Sequence, residues 1–191
     1  MTKIDLKFET LTIGHELDTK RLASAFFAED ALGVVVRCHF EVERAAIRAL
    51  DTLTGNRWRK TRSQYLAEKL NLLEMLGAPE PVLVPARTLN KQRNAFAHDG
   101  LEEISEQQLL DIVRGIRDFL PQFQDDYRIQ LHGEREFSGA FKECSIHQKY
   151  AVASSILAML VGGIPEFMRA YREAAVAADK APDVLGLKNG Q

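Results

Sequence analysis

The chain has little of what would make it a scaffold, a span or a coat. Of its 191 residues only two are cysteine, Cys38 and Cys144; they lie far apart in no CxxC spacing, so neither a disulfide framework nor a zinc site is suggested. The most apolar run, Ala151 to Ile164, carries two serines and two glycines and falls short of the ~20 residues a membrane span needs. An excess of one charge is also missing. The formal net charge of -2 excludes a polycation built to coat nucleic acid. The opening residues, MTKIDLKFETL, lack the basic-then-apolar pattern of a signal peptide, and a cytoplasmic location is expected. No Gly-rich phosphate loop, GxSxG elbow or HExxH motif occurs. No helix-turn-helix pair with a basic recognition helix occurs either, so direct sequence-specific DNA binding is not expected.

What is present reads as helix. With 46% hydrophobic and 27% charged residues, the chain can bury one real core. Residues 1–29 should form an N-terminal arm with weak alternation (Ile4, Leu6, Phe8) and a short helix capped by Asp18. Asp30 opens a long helix towards Gly55. Val35, Cys38, Val42, Ala46, Ala49 and Leu53 recur along it at helical spacing, and Leu32, Val36, Phe40, Ile47 and Leu50 widen that apolar face. Arg37, Glu41, Arg44 and Arg48 make the opposing stripe, expected in solvent. TGNRWRKTRS follows as a turn, and Leu66, Leu70, Leu73 and Leu76 form a second apolar stripe closed by Gly77. APEPVLVP is expected to be a connection because its prolines lack donors. A helix should then run from Ala86 to His98 and stop at Asp99-Gly100. Ser105 and Gln108 form a capping-box pattern for a helix to Leu120. After a polar stretch from Pro121, helices are expected near Phe141 to Val161 and Pro165 to Ala178, with a frayed tail over 181–191. The fold class is all-α.

The chemistry concentrates in LNKQRNAFAHDG, residues Leu89 to Gly100. Each helical residue advances about 100°, so Asn94 and His98 stand one above the other, and the long Arg93 side chain can bend to the same surface. Arg93 offers a planar fork of donors that matches phosphate geometry. His98 can accept or give a proton near neutral pH, and Asn94 can orient an imidazole or hold a hydroxyl. Together they suit metal-free cleavage of a phosphodiester. RNA fits such a site because its 2′-hydroxyl is an internal nucleophile. The same residues are also ordinary furniture for a helix C-terminus, where a basic group complements the dipole.

The run RNAFAH resembles the Rx4-6H signature of the HEPN superfamily. The preceding KLNLLEMLG helix, the connection and the helix ending HDG are similar to the branch of mannitol-operon-repressor-like proteins. The likeness covers mainly residues 30–120, leaving 121–180 as C-terminal helices of the same domain. It implies a HEPN-like helical bundle, a homodimer, and Arg93 and His98 in the catalytic positions with Asn94 in support. Many members are metal-independent endoribonucleases needing no cofactor; others are regulatory modules that act on a protein partner. The His-x-Tyr extension found in antitoxin-modified toxins is absent here, since that position is Gly100.

Charge patterning adds a second indication. From Arg57 to Arg93 there are eight Lys/Arg against three Glu, a net of +5; from Asp99 to Asp126 there are eight acids against two arginines, a net of -6. Within the basic segment, Arg57, Trp58, Arg59, Lys60 and Arg62, with Lys91 further on, have the composition of an RNA-binding surface, Trp58 stacking a base. The alternative is a solvated turn with the tryptophan in the core. His39 and Glu43 are four apart, and His147 stands near Cys144, but neither neighbourhood supplies a third ligand, so no metal site is expected.

Overall fold

The computed structural model describes residues 15–132 and 135–179. The expected N-terminal alternation and the C-terminal tail lie outside the described residues. Within them the protein is an all-α bundle of seven helices with one small hairpin: α1 (Thr19–Phe26), α2 (Ala31–Thr54), α3 (Leu66–Met75), α4 (Glu80–Asp99), α5 (Glu106–Phe119), β1 (Arg128–Leu131), β2 (Phe137–Ala140), α6 (Ile146–Gly162) and α7 (Ile164–Asp179).

Local sequence sets most of the boundaries. Asp18 accepts the Arg21 N–H at 3.1 Å to start α1. Asp30 accepts the Gly33 N–H to start α2, which ends on Gly55 at φ +56. Around Ser105 the capping box is reciprocal: Ser105 Oγ accepts from Gln108 N at 3.2 Å, and Gln108 Oε1 accepts from Ser105 N at 2.8 Å. A second reciprocal box, Ser145 with Gln148, opens α6 at Ile146 rather than at Phe141. Phe141–Glu143 form a 3-10 turn before it.

Two expectations fail for physical reasons. APEPVLVP is not a connection. Pro79 is the N-cap of α4 and Pro81 lies in its first turn, where a missing donor costs nothing. Pro85 does sit inside the helix, buried against α5. The polar stretch after Pro121 is not simply a loop, since β1 and β2 pair antiparallel from Arg128↔Ala140 to Leu131↔Phe137. Its alternation, RIQL, places Ile129 in the core and its neighbours outside.

Helix α2 is the centre of the bundle. It packs most extensively on α6 and also touches α1, α3, α4 and α7. Val34, Val35, Cys38, Val42, Ala45, Ala46, Ala49 and Leu50 are fully enclosed. The wider face drawn from sequence is only half right, because Leu32, Val36 and Phe40 remain 49%, 45% and 49% exposed. The polar stripe also needs correcting. Glu41 is 0% exposed; its carboxylate accepts from Arg21, from Arg44 at 2.9 Å and from the Asp18 N–H at 3.3 Å. Arg48 grips Glu166 with both terminal nitrogens, at 2.9 and 2.6 Å, and donates to the Gly162 carbonyl, fixing the α6–α7 corner. With helices around most of α2, Glu41 and Arg48 of this face become bridges to other helices, whereas Arg44 pairs with Glu41 within α2.

The α4–α5 crossing is close because α5 presents Gly115 to Pro85. A methyl group built on Gly115 would lie 2.9 Å from Pro85 Cβ, and the proline ring, closed on its own backbone, has no flexible end to yield. Gly115→Ala should therefore destabilise the fold. The overpacking cost of about 1–3 kcal/mol exceeds the ~1 kcal/mol that alanine gains in helix propensity. Urea titration checks it. A variant more stable than wild type would show that the crossing is not tight.

Candidate functional site

Three side chains hold the C-terminal half of α4 in place. Phe96 is buried, as its spacing predicts, and Leu89 is fully enclosed. Between them Gln92 is buried and satisfied on two sides: its Nε2 donates to the Gln108 carbonyl of α5 at 2.8 Å, and its Oε1 accepts from Tyr150 Oη of α6 at 3.0 Å. Burial raises the Tyr150 phenol well above its usual range, so it remains a donor. The helix ends at Gly100, whose φ of +65 suits glycine.

On this support Arg93, Asn94 and His98 face outward. Arg93 is half-buried, while Asn94 and His98 are exposed. Arg93 Nη1 donates to Asn94 Oδ1 at 3.2 Å, and neither Arg93 nor His98 enters an ion pair among the described residues. Arg93 and His98 are five residues apart, about 140° around the axis. Arg93 therefore shares a side of α4 with Asn90, and His98 shares one with Asn94 and Lys91. One chain brings Arg93 and Asn94 into contact and leaves His98 a turn beyond them.

Residues 57–62 form a turn, as expected, and of its two readings the structure has the one with the tryptophan in the core. Arg57–Thr61 form a 3-10 helix with Trp58 only 7% exposed. The indole Nε1 donates to Asp51 Oδ1 at 2.7 Å, and Arg59 grips the same carboxylate at 3.0 and 2.7 Å. Burial works to raise the Asp51 carboxyl, but the hydrogen bonds from Arg59 and Trp58 and the guanidinium charge outweigh it and hold the group below its usual range. In this conformation Trp58 has no open face for a base. Of the eight cations in the basic segment, Arg59, Lys69 and Arg87 are paired with Asp51, Glu43 and Glu74. Arg57, Lys60, Arg62, Lys91 and Arg93 have no ion-pair partner among the described residues. Helix α5 packs on α4 with no ion pair between them among the described residues, and most of the acidic segment's charge lies outside α5, at Asp99, Glu102, Glu103, Asp125 and Asp126.

A polar neighbour of Arg93 lies on α2. His39 Nε2 is 3.1 Å from Asn90 Oδ1, across the α2–α4 groove and one helical turn before Arg93. Burial lowers the His39 pKa; Asn90 and Glu43 act to raise it, and the Arg93 and Lys69 charges lower it further. Asn90 lies three before Arg93 on a face that also carries Arg87 and Asn94, so nothing local in the sequence set it apart. Elsewhere, burial pushes the Cys38 thiol up to about 12 and raises Cys144, so neither is a poised nucleophile. Among the described residues no three His, Cys, Asp or Glu side chains converge as metal ligands.

No single helix among the described residues is long and apolar enough to cross a membrane; α6 and α7 meet that test only as a pair bent by 52°. No family model, no curated protein and no solved structure matches the chain. The likeness to the HEPN superfamily rests on the residues of α4 and the helix order around them.

His39 and His15 both have pKa values lowered first by burial. Such groups favour the fold when neutral, so their contribution is full above pH ~6.5 and falls away as pH drops below it. Unfolding free energy should therefore decline from pH 7 to pH 5, above the carboxylate range, and decline less in His39→Gln. Chemical denaturation at the two pH values checks this; equal slopes for both proteins would remove His39 from the account.

Proposed function

We propose that the chain is a HEPN-like RNA-binding protein that cleaves RNA without a metal, using Arg93 and His98 from two copies brought together. The observation that carries this is the end of α4. A guanidinium, an amide and an imidazole are presented outward on a rigidly held helix, with no ion pair using them up. Arg93 would hold the phosphate and stabilise its developing charge, with Asn94 supporting it. One imidazole would take the proton from the 2′-hydroxyl as that oxygen bonds to phosphorus. The other copy's His98 would give a proton to the departing 5′-oxygen as its bond to phosphorus breaks. Arg57, Lys60, Arg62 and Lys91, which have no ion-pair partner among the described residues, would hold the flanking phosphates.

The 140° between Arg93 and His98 favours a homodimer, because two copies can place an arginine of one opposite a histidine of the other. The exposed Leu32, Val36 and Phe40 supply an apolar face beside the His39 groove for such pairing. That same face favours a second reading, a non-catalytic regulatory module of the mannitol-operon-repressor type binding a protein partner through α2.

Two outcomes are expected. Purified protein with single-stranded and structured RNA in chelator should leave 2′,3′-cyclic phosphate ends, and His98→Ala or Arg93→Ala should slow cleavage by about 10²–10⁴ with little change in folding. Wild type that leaves RNA intact overturns the nuclease reading in favour of the regulator. Val36→Glu should convert a dimer to a folded monomer in light scattering; a wild-type monomer at micromolar concentration overturns the two-copy site.

A further inference from the structure

The groove between α2 and α4 has the makings of an anion site within a single chain. Asn90 Oδ1, an acceptor, lies 3.1 Å from His39 Nε2, so that nitrogen carries the hydrogen and Nδ1 is left to take up a proton. The charged groups acting on His39 come from three helices: Glu43 on α2, Lys69 on α3 and Arg93 on α4. Glu43 would oppose an anion, but Lys69 Nζ donates to its Oε1 at 2.9 Å and also to the Gln64 carbonyl, which removes both from competition. Lys69 is a buried lysine committed to that pair. What remains uncancelled at the groove is Arg93, whose only hydrogen bond among the described residues is to the neutral Asn94.

We propose that His39, Asn90 and Arg93 form a binding site for a tetrahedral oxyanion of the phosphate class, taken up together with a proton on His39 Nδ1. Arg93 gives the fork of donors, and the imidazolium gives a further charge-assisted donor from the facing helix. Asn90 occupies Nε2, which leaves Nδ1 as the ring nitrogen that would carry the added proton to the ligand. The coupling is electrostatic. Without an anion the Arg93 charge resists protonation of His39, and burial adds to that resistance. An anion on Arg93 cancels the first effect and rewards the proton. Linkage makes the relation reciprocal, so lower pH tightens anion binding. This deepens the reading of Arg93 as a phosphate-binding group and rests on it, but needs neither cleavage nor His98.

The probe is sulfate, whose charge does not change between pH 5 and 8. His39 would be followed through its ring proton resonances in the full chain, with an RNA dinucleotide, UpU, as a second arm. Sulfate should raise the His39 pKa by about one unit, which by linkage is about tenfold tighter binding when the histidine is charged. Arg93→Ala and Asn90→Ala should each abolish that rise while the protein stays folded. His39→Gln should still bind sulfate but lose the pH dependence. A rise with UpU and not with sulfate supports the site and assigns it to the phosphodiester of a polynucleotide. A His39 pKa unmoved by either ligand overturns the site. If RNA is nonetheless cleaved in a His98-dependent way, the nuclease reading survives and only the role of His39 falls.

Discussion

The enclosure of α2 governs the rest of the molecule. Twenty-four residues, about 36 Å of helix, are packed against five other helices. Its small and β-branched residues, Val34, Val35, Val42, Ala45, Ala46 and Ala49, let those neighbours approach closely. A helix surrounded in this way has little room for an ordinary polar face. Three of its charged residues are instead met by partners from other helices: Glu41 by Arg21 of α1, Glu43 by Lys69 of α3, and Arg48 by Glu166 of α7. Each of these pairs is partly desolvated, so losing one member strands a charge rather than freeing a surface group. The pairs therefore fix which helix packs where.

The candidate site inherits its geometry from this arrangement. Gln92 ties α4 to α5 and α6 with two hydrogen bonds, and that fixes the rotation of α4 about its axis. With Gln92, Leu89 and Phe96 turned inward, Arg93 must fall towards α2 and His98 away from it. The separation of the two motif residues is thus a consequence of core packing. It is also the reason His39 of α2, which meets Asn90 one turn before Arg93, lies on Arg93's side of α4 and not on that of His98.

Much of the fold was legible because its signals are local. Asp18, Asp30, Ser105 and Gly100 mark helix ends by hydrogen bonds or backbone angles that depend on a few neighbours. What sequence reading missed depends on tertiary contacts. The prolines of APEPVLVP look like breakers until Pro79 is known as the N-cap of α4, Pro81 as a first-turn residue and Pro85 as an interior one packed on Gly115. Glu41 looks solvated until α1 folds over it. Trp58 could have gone either way, and the decision came from Asp51, seven residues earlier, which accepts its N–H. At the site, Arg93, Asn94 and His98 stood out as a motif. Asn90 and its bond to His39, 51 residues away, had no local signature.

The central claim is that the end of α4 meets RNA through Arg93, Asn94 and His98. The most direct measurement is a heteronuclear NMR titration of the full chain with a short 2′-O-methyl RNA, which binds but has no nucleophile. The account predicts saturable shifts centred on the Arg93 side-chain N–H, the Asn94 amide and the His98 ring, weakening as salt rises. Shifts confined to other surfaces, or none at millimolar RNA, would contradict it.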